Sequence, residues 1–347
     1  MRKIGVVEGF FGPEWPREAR LGYAEFIART GGGFYIYAPK RDQFLRKAWR
    51  EEWGSEYAEW LTGMAAHFRS HGVAFGVGLS PFGLGAQLSD ADRAHLRDKL
   101  SVLHKAGVEL LGLFFDDMPS DANLATAQMA CLAEVRRHFT GQILFCPSFY
   151  SYDPILEKVF GKMPDGYWPR IAQETPAGVE MCWTGPKVIS PEIDEAHLQE
   201  VTTMLKRPPF LWENLYANDG PRNCKFLKLR PFAGRTAGIL DLCAGLGFNM
   251  MNQPELSKLV YVSSVLVLRE GLAPDAALDR AIAENCSPSF AGFLHRHRLA
   301  FFEQGLDKID DKEGLLAELE GVDDPAAEEV RTWLKGGYVV GPECLTD

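Results

Sequence analysis

The chain has 347 residues, of which 46% are apolar and 24% charged. These proportions are those of soluble globular proteins and exclude a disordered, collagenous or membrane-embedded chain. Lys and Arg number 37 against 47 Asp and Glu, a net charge of −10 that lacks the positive excess nucleic-acid backbones demand, so that partner class is excluded.

Taken from the start, Met1-Arg2-Lys3 precedes an apolar run that ends at Glu8. That run is too short for a signal-peptide core and has no small-residue cleavage site after it. No later stretch approaches the length of about 18 apolar residues a membrane span needs. Short runs rich in β-branched and aromatic residues then recur at 4–8, 34–38, 74–79, 110–115, 142–146, 179–183, 209–212 and 246–250. Between them, helical patterns occupy 17–30, 51–70, 90–106, 124–139 and 191–205. Ser89 with Asp92 resembles a capping box, and Gly72 and Gly107 stand where helices would end in a left-handed residue. Gly31-Gly32-Gly33 precedes a run where a phosphate loop would follow one, so it reads as a helix stop.

Alternation of strand and helix predicts an α/β fold with a parallel sheet, and eight repetitions predict a (β/α)₈ TIM barrel over 1–270. Beyond 270 the strand signal stops; helical patterns at 274–285, 288–304, 312–319 and 325–334 predict a small C-terminal helical appendage over 271–347. The cluster Asp310-Asp311-Lys312-Glu313 reads as a solvated face or turn. Seven scattered cysteines, without a C-x-x-C pair or zinc spacing, point to a reducing, cytoplasmic environment and to no metal site. His295 and His297, two apart on a helical pattern, would face different ways and make no metal pair.

In such barrels, sites form on the loops after the strands. The run ending in Phe114-Phe115 is followed directly by Asp116-Asp117. Adjacent strand residues point to opposite faces, so two neighbouring aspartates serve one pocket only where the backbone leaves the sheet. Two close carboxylates separate their titrations, one anionic and one protonated, which is the division of labour a glycosidase uses. The same pair also fits a solvated turn, a helix N-cap before Pro119, or a Mg²⁺ site. After the seventh run, Trp212-Glu213-Asn214-Leu215-Tyr216-Ala217-Asn218-Asp219 gathers amides, acids and aromatics suited to sugar hydroxyls and pyranose faces, or to a self-bonded Asx-rich loop. Lys40 could donate to hydroxyls or pair with Asp42. Tyr150, Trp183 and Phe149 are candidates for the pocket wall or for simple core, and Glu8, if buried, needs a partner such as Lys40 or Arg41.

These segments coincide with a known pattern. Gly5-Val6-Val7-Glu8-Gly9-Phe10-Phe11-Gly12, Tyr35-Ile36-Tyr37-Ala38-Pro39-Lys40, Trp49-Arg50-Glu51, Phe114-Phe115-Asp116-Asp117, Phe145-Cys146-Pro147, Trp183-Thr184-Gly185-Pro186-Lys187-Val188 and Leu211-Trp212-Glu213-Asn214 with Ala217-Asn218-Asp219 stand in order. In this the chain resembles glycoside hydrolase family 84, the protein O-GlcNAcases and bacterial β-N-acetylglucosaminidases. The resemblance implies a retaining β-N-acetylglucosaminidase without cofactor, in which the substrate's own acetamido oxygen attacks the anomeric carbon and forms an oxazoline. It implies that Asp116 holds the acetamido N–H and that Asp117 is the acid and base. Asn214 would lie near the acetamido group, Asp219 would bind the 4- and 6-hydroxyls, and Lys40 with the Gly9 backbone would reach hydroxyls across the ring. Trp212, Tyr150 and Cys146 would wall the N-acetyl pocket, with Asn252 as a further hydroxyl ligand. Phe11 stands where the family has Tyr, Glu213 where it has Asp, and Leu215-Tyr216 where it has Ile-His, and these departures bear on leaving-group recognition. The expected substrates are GlcNAc-bearing proteins or small glycosides; cell-wall or chitin fragments, and a non-catalytic sugar-binding barrel, are the alternatives. The helical tail leaves room for a homodimer.

Overall fold

The computed structural model describes residues 4–85 and 87–346. Eight strands, β1 (Ile4–Glu8), β2 (Phe34–Tyr37), β3 (Ala74–Leu79), β4 (Leu110–Phe114), β5 (Gln142–Cys146), β6 (Val179–Trp183), β7 (Phe210–Glu213) and β8 (Gly245–Asn249), fall where the apolar runs predict them, within one or two residues. They pair in sequence order, all parallel, and β8 returns to β1 to close the barrel. Nearly every strand residue is buried, because a parallel barrel is covered on both faces and its strands are continuous apolar runs.

The outer layer is α1 (Arg17–Arg29), α2 (Ser55–Ser70), α3 (Asp90–Ala106), α4 (Leu124–His138), the short α5 (Pro154–Phe160) and α6 (Tyr167–Glu174), α7 (Glu195–Leu205), α8 (Ile239–Leu242) and α9 (Pro254–Glu270). Ser89 caps α3 by accepting from the Asp92 N–H at 3.0 Å, and Gly107 ends it in the left-handed region at φ 76°. Gly72 closes α2 in the same way, at φ 71°. Two starts differ from expectation. Helix α2 begins at Ser55, after Gly54, rather than at Glu51, and α7 begins only after Asp194, whose carboxylate accepts from the His197 N–H.

Helix α9 is absent from the helical patterns read in the sequence. Its residues are buried from Leu259 through Leu268 without a break, so that stretch shows no solvent-facing polar stripe. What covers its outer side is α10 (Pro274–Asn285) and α13 (Pro325–Leu334), which follow with α11 (Pro288–Glu303) and α12 (Lys312–Glu318). Asp311 of the charge cluster caps α12 through the Gly314 N–H.

Glu8 is fully buried, and its partner is neither Lys40 nor Arg41. Arg20 of α1 clamps both its oxygens, Nε to Oε2 at 2.8 Å and Nη2 to Oε1 at 2.7 Å, and the Tyr35 hydroxyl donates to Oε2. Arg20 lies one turn into the helix that follows β1 and reaches back bidentately, a geometry that satisfies a buried carboxylate where a single ammonium would not. Lys40 is thereby left for another acid.

Candidate active site

The C-terminal ends of the strands surround a cleft, at the end of the barrel where such folds build their sites. Strand β4 ends at Phe114, and at Asp117 the backbone turns into the left-handed region, φ 57°. That turn takes the two aspartates out of the sheet and lets both face the cleft. An aspartate tolerates the conformation better than a bulky residue does.

The two carboxylates have unlike surroundings. Asp116 is buried, and Lys40 Nζ donates to its Oδ2, a charge-assisted hydrogen bond. Its other oxygen, Oδ1, is buried and has no hydrogen-bond partner. Asp117 is partly open to solvent, and its Oδ1 accepts a single side-chain bond from the Tyr150 hydroxyl at 3.3 Å. Burial first, and then the charge of Asp116, push its carboxyl above the ordinary range, against the weaker pull of Lys40 and Arg46. Arg46 donates to the Asp117 carbonyl oxygen at 3.3 Å and so holds the turn.

Across the cleft, Trp212 at the end of β7 lies edge-on to Phe114, with ring centroids 5.0 Å apart. A methyl group at Gly9 would meet the indole at 2.5 Å, so only glycine lets the β1 loop pass there. Asn214 is held on three sides: its Oδ1 accepts from Trp212 Nε1 at 3.0 Å and Asn249 Nδ2 at 2.9 Å, and its Nδ2 donates to Val188 O at 2.9 Å. Asp219 accepts from the Phe11 N–H at 3.0 Å. Burial raises its carboxyl to about 6 despite that bond. Cys146 lines the cleft as a neutral thiol, because burial pushes its ionisation far up.

Of the candidates named from sequence, Gly9, Lys40, Asp116, Asp117, Cys146, Tyr150, Trp212, Asn214 and Asp219 meet at this one cleft. Asn252 does not line it; its amide donates to Phe11 O at 3.1 Å and its backbone N–H to Asn218, so it braces the β1 loop from behind. Lys40 pairs with Asp116 and not with Asp42, which instead accepts from Tyr37 and Tyr57. Trp183 lies in the core, where its indole N–H donates to His197, and Phe149 packs on Tyr167. In the β7 loop, Tyr216 bonds to Ser264 in the core, and Asn218 ties Phe226 O to Gln253.

Sequence reasoning missed Asn249, Cys344 and Thr346 as lining residues. Asn249 carries a signal in retrospect, a lone amide ending an otherwise apolar strand. The other two lie near the end of the chain, and nothing local points them at the barrel. Among the described residues, no group of three or more His, Cys, Asp and Glu could hold a metal ion, and the charge facing Asp116 is a lysine ammonium.

Fold and site define a parallel (β/α)₈ barrel with paired carboxylates at its strand ends, and comparison with known proteins gives the family. The β-N-acetylglucosaminidase family model matches residues 4–291, and the chain belongs to that family. The protein O-GlcNAcases of Rattus norvegicus and Mus musculus are each 31% identical over 254 residues, 70% of this chain but 27% of theirs. The chain thus spans about a quarter of the length of those curated relatives. An Asp-to-Asn variant of the O-GlcNAc hydrolase of Thermobaculum terrenum superposes with a TM-score of 0.83 at 28% identity, over 97% of this chain and 81% of that one.

Proposed function

We propose that this enzyme removes terminal β-linked N-acetylglucosamine, with retention, through an oxazoline formed by the substrate's own acetamido group, and that its natural substrates are GlcNAc-bearing proteins. The observation that carries the reading is the unpartnered Oδ1 of Asp116 beside a lysine-paired Oδ2. A buried carboxylate oxygen without a donor costs about 1–3 kcal/mol, and an acetamido N–H removes that cost on binding.

In this scheme Asp116 accepts the acetamido N–H and raises the electron density on the carbonyl oxygen. That oxygen attacks C1 as the bond to the leaving oxygen breaks. Asp117, whose carboxyl burial and the charge next to it push up, delivers its proton to the leaving oxygen. It then takes a proton from the water that opens the oxazoline at C1, which restores the starting state. Because the nucleophile is part of the substrate, attack is intramolecular once the ring is seated. Asn214, pinned by three bonds, supplies a fixed wall near the acetamido group, and Asp219 accepts from the 4- and 6-hydroxyls. Lys40 has a second role toward the ring hydroxyls alongside the Gly9 backbone.

A cytoplasmic location is part of the same proposal. It is supported by seven cysteines that are all free thiols, while no described helix is long and apolar enough to cross a membrane. The test is kinetic: hydrolysis of 4-nitrophenyl β-N-acetylglucosaminide against the matching β-glucoside, with a thiazoline mimic of the oxazoline as inhibitor. The mimic is expected to bind at least a hundredfold more tightly than free N-acetylglucosamine. Equal turnover of the glucoside overturns the mechanism.

A further inference from the structure

The C-terminal stretch reaches the catalytic cleft through a chain of specific contacts. Glu329 of α13 accepts from the Glu255 and Leu256 N–H groups, both at 2.8 Å, and so caps α9. Trp333 Nε1 donates to Cys224 O at 3.2 Å, on the loop after β7 that also carries Asp219. Val340 then joins Phe11, Cys224 and Cys344 in a small apolar cluster separate from the main core. The fit against the β1 loop is tight. A methyl group at Gly12, where φ is +107°, would meet Val340 at 2.8 Å and Asn252 Oδ1 at 2.1 Å. From this anchorage, Cys344 and Thr346 enter the cleft wall.

Their position relative to the two acids gives this wall a role. Cys344 lines the same cleft as Asp117 and Asp219, and burial and then the charges of those two acids push its thiol up. The two residues of this stretch that line the cleft, a thiol and a threonine, are uncharged, with Leu345 between them in sequence and the exposed Glu343 just before them. Among the described residues only three large apolar side chains are exposed, and two of them, Val339 at 72% and Leu345 at 56%, belong to this stretch. Scattered exposed apolar residues need no explanation, but two of three on one short stretch whose Cys344 and Thr346 line the cleft do.

We propose that residues 339–346 form the leaving-group wall of the cleft, with Cys344 and Thr346 shaping its inner edge and Val339 and Leu345 contacting apolar side chains of a polypeptide that carries the sugar. This rests on the hydrolase reading above, since it takes Asp117 as the acid on the leaving-group side. It assigns leaving-group selection to a segment more than two hundred residues away from that acid in the chain.

Binding tests it without relying on turnover. The full chain is titrated calorimetrically with an S-linked GlcNAc peptide, flanked by Val and Leu, and with methyl S-GlcNAc. In the unaltered protein the peptide is expected to bind at least fivefold more tightly than the methyl thioglycoside. Leu345→Glu and Val339→Glu, both on exposed side chains, are expected to remove most of that advantage, and Leu299→Glu, exposed on α11, to keep it. No peptide advantage in the unaltered protein, or an advantage that survives both substitutions, overturns the proposal. Failure of the hydrolase reading shows separately, as absent turnover of the 4-nitrophenyl glycoside.

Discussion

Among the strand ends of this barrel that carry buried acids, those of β7 and β4 have opposite designs. At the end of β7, Glu213 is completely satisfied. Arg235 Nε and Nη2 reach its two oxygens at 2.8 Å each, and the Leu215 N–H donates to Oε1 at 2.9 Å. At the end of β4, Asp116 keeps one buried oxygen without a partner, and Asp117 sits in a left-handed turn with its carboxyl pushed up. Glu213 is 1% exposed and holds a loop; the aspartates face a cleft and hold unused chemistry. Burial alone therefore does not mark a catalytic acid. The mark is a buried acid whose hydrogen-bonding capacity the protein leaves for something else.

The sharpest way to break the comparison is to exchange the outcomes of substitution at the two ends. Asp117→Asn is expected to lower kcat/KM on alkyl glycosides by about 10²–10⁴-fold, the usual worth of a positioned acid, with less than tenfold loss on activated aryl glycosides. Its thermal midpoint should not fall, because the change removes a buried titratable group and no paired one. Glu213→Leu is expected to act through stability instead. It leaves the Arg235 guanidinium, 0% exposed at its side chain, buried without its carboxylate, a loss of about 3–5 kcal/mol to be read in denaturant unfolding. Activity lost there in proportion to folded protein sharpens the contrast; loss of rate in a fully folded variant breaks it.

The pH profile of kcat/KM is a smaller and finer test. Asp219, with its carboxyl raised to about 6, can accept from two hydroxyls at once most strongly as the anion, so the rate should fall as pH drops below about 6. Asp117 acts as the protonated acid, so the rate on poor leaving groups should fall again as pH rises through its elevated value. Asp219→Asn should flatten the acid limb, and Asp117→Asn the alkaline one. Smallest is Tyr150→Phe, which deletes the 3.3 Å bond to Asp117. A single net hydrogen bond is worth about 0.5–1.5 kcal/mol, so the rate should change by tenfold at most. Since that bond lowers the Asp117 carboxyl, the alkaline limb should move upward.

Much of this was legible in the sequence, and the limits have physical causes. The eight strands announce themselves because a parallel barrel demands apolar runs, and Asp116-Asp117 stands out because two acids directly follow one. Nine of the ten site residues named from motifs meet in the cleft for the same reason: strand ends converge by topology. Helix α9 was missed because its run from Leu259 through Leu268 is buried without a break and shows no solvent-facing polar stripe. The roles of Glu8 and Glu213 were hidden because their partners, Arg20 and Arg235, lie on later segments that only closure of the fold brings back. The loop at 212–219 mixes both kinds of residue: Trp212, Asn214 and Asp219 face the cleft while Glu213, Tyr216 and Asn218 hold the loop, and composition does not separate them. Cys344 and Thr346 are the extreme case, since their place depends on the docking of four helices.

The central claim is that the nucleophile belongs to the substrate and that Asp116 positions it. The most direct measurement is kcat/KM for a series of 4-nitrophenyl glycosides whose N-acetyl group carries zero, one, two or three fluorines, which weakens the carbonyl oxygen stepwise while barely changing its size. A steep fall along the series, blunted in Asp116→Asn, is the predicted result. A flat series would place the nucleophile on the protein and contradict the account.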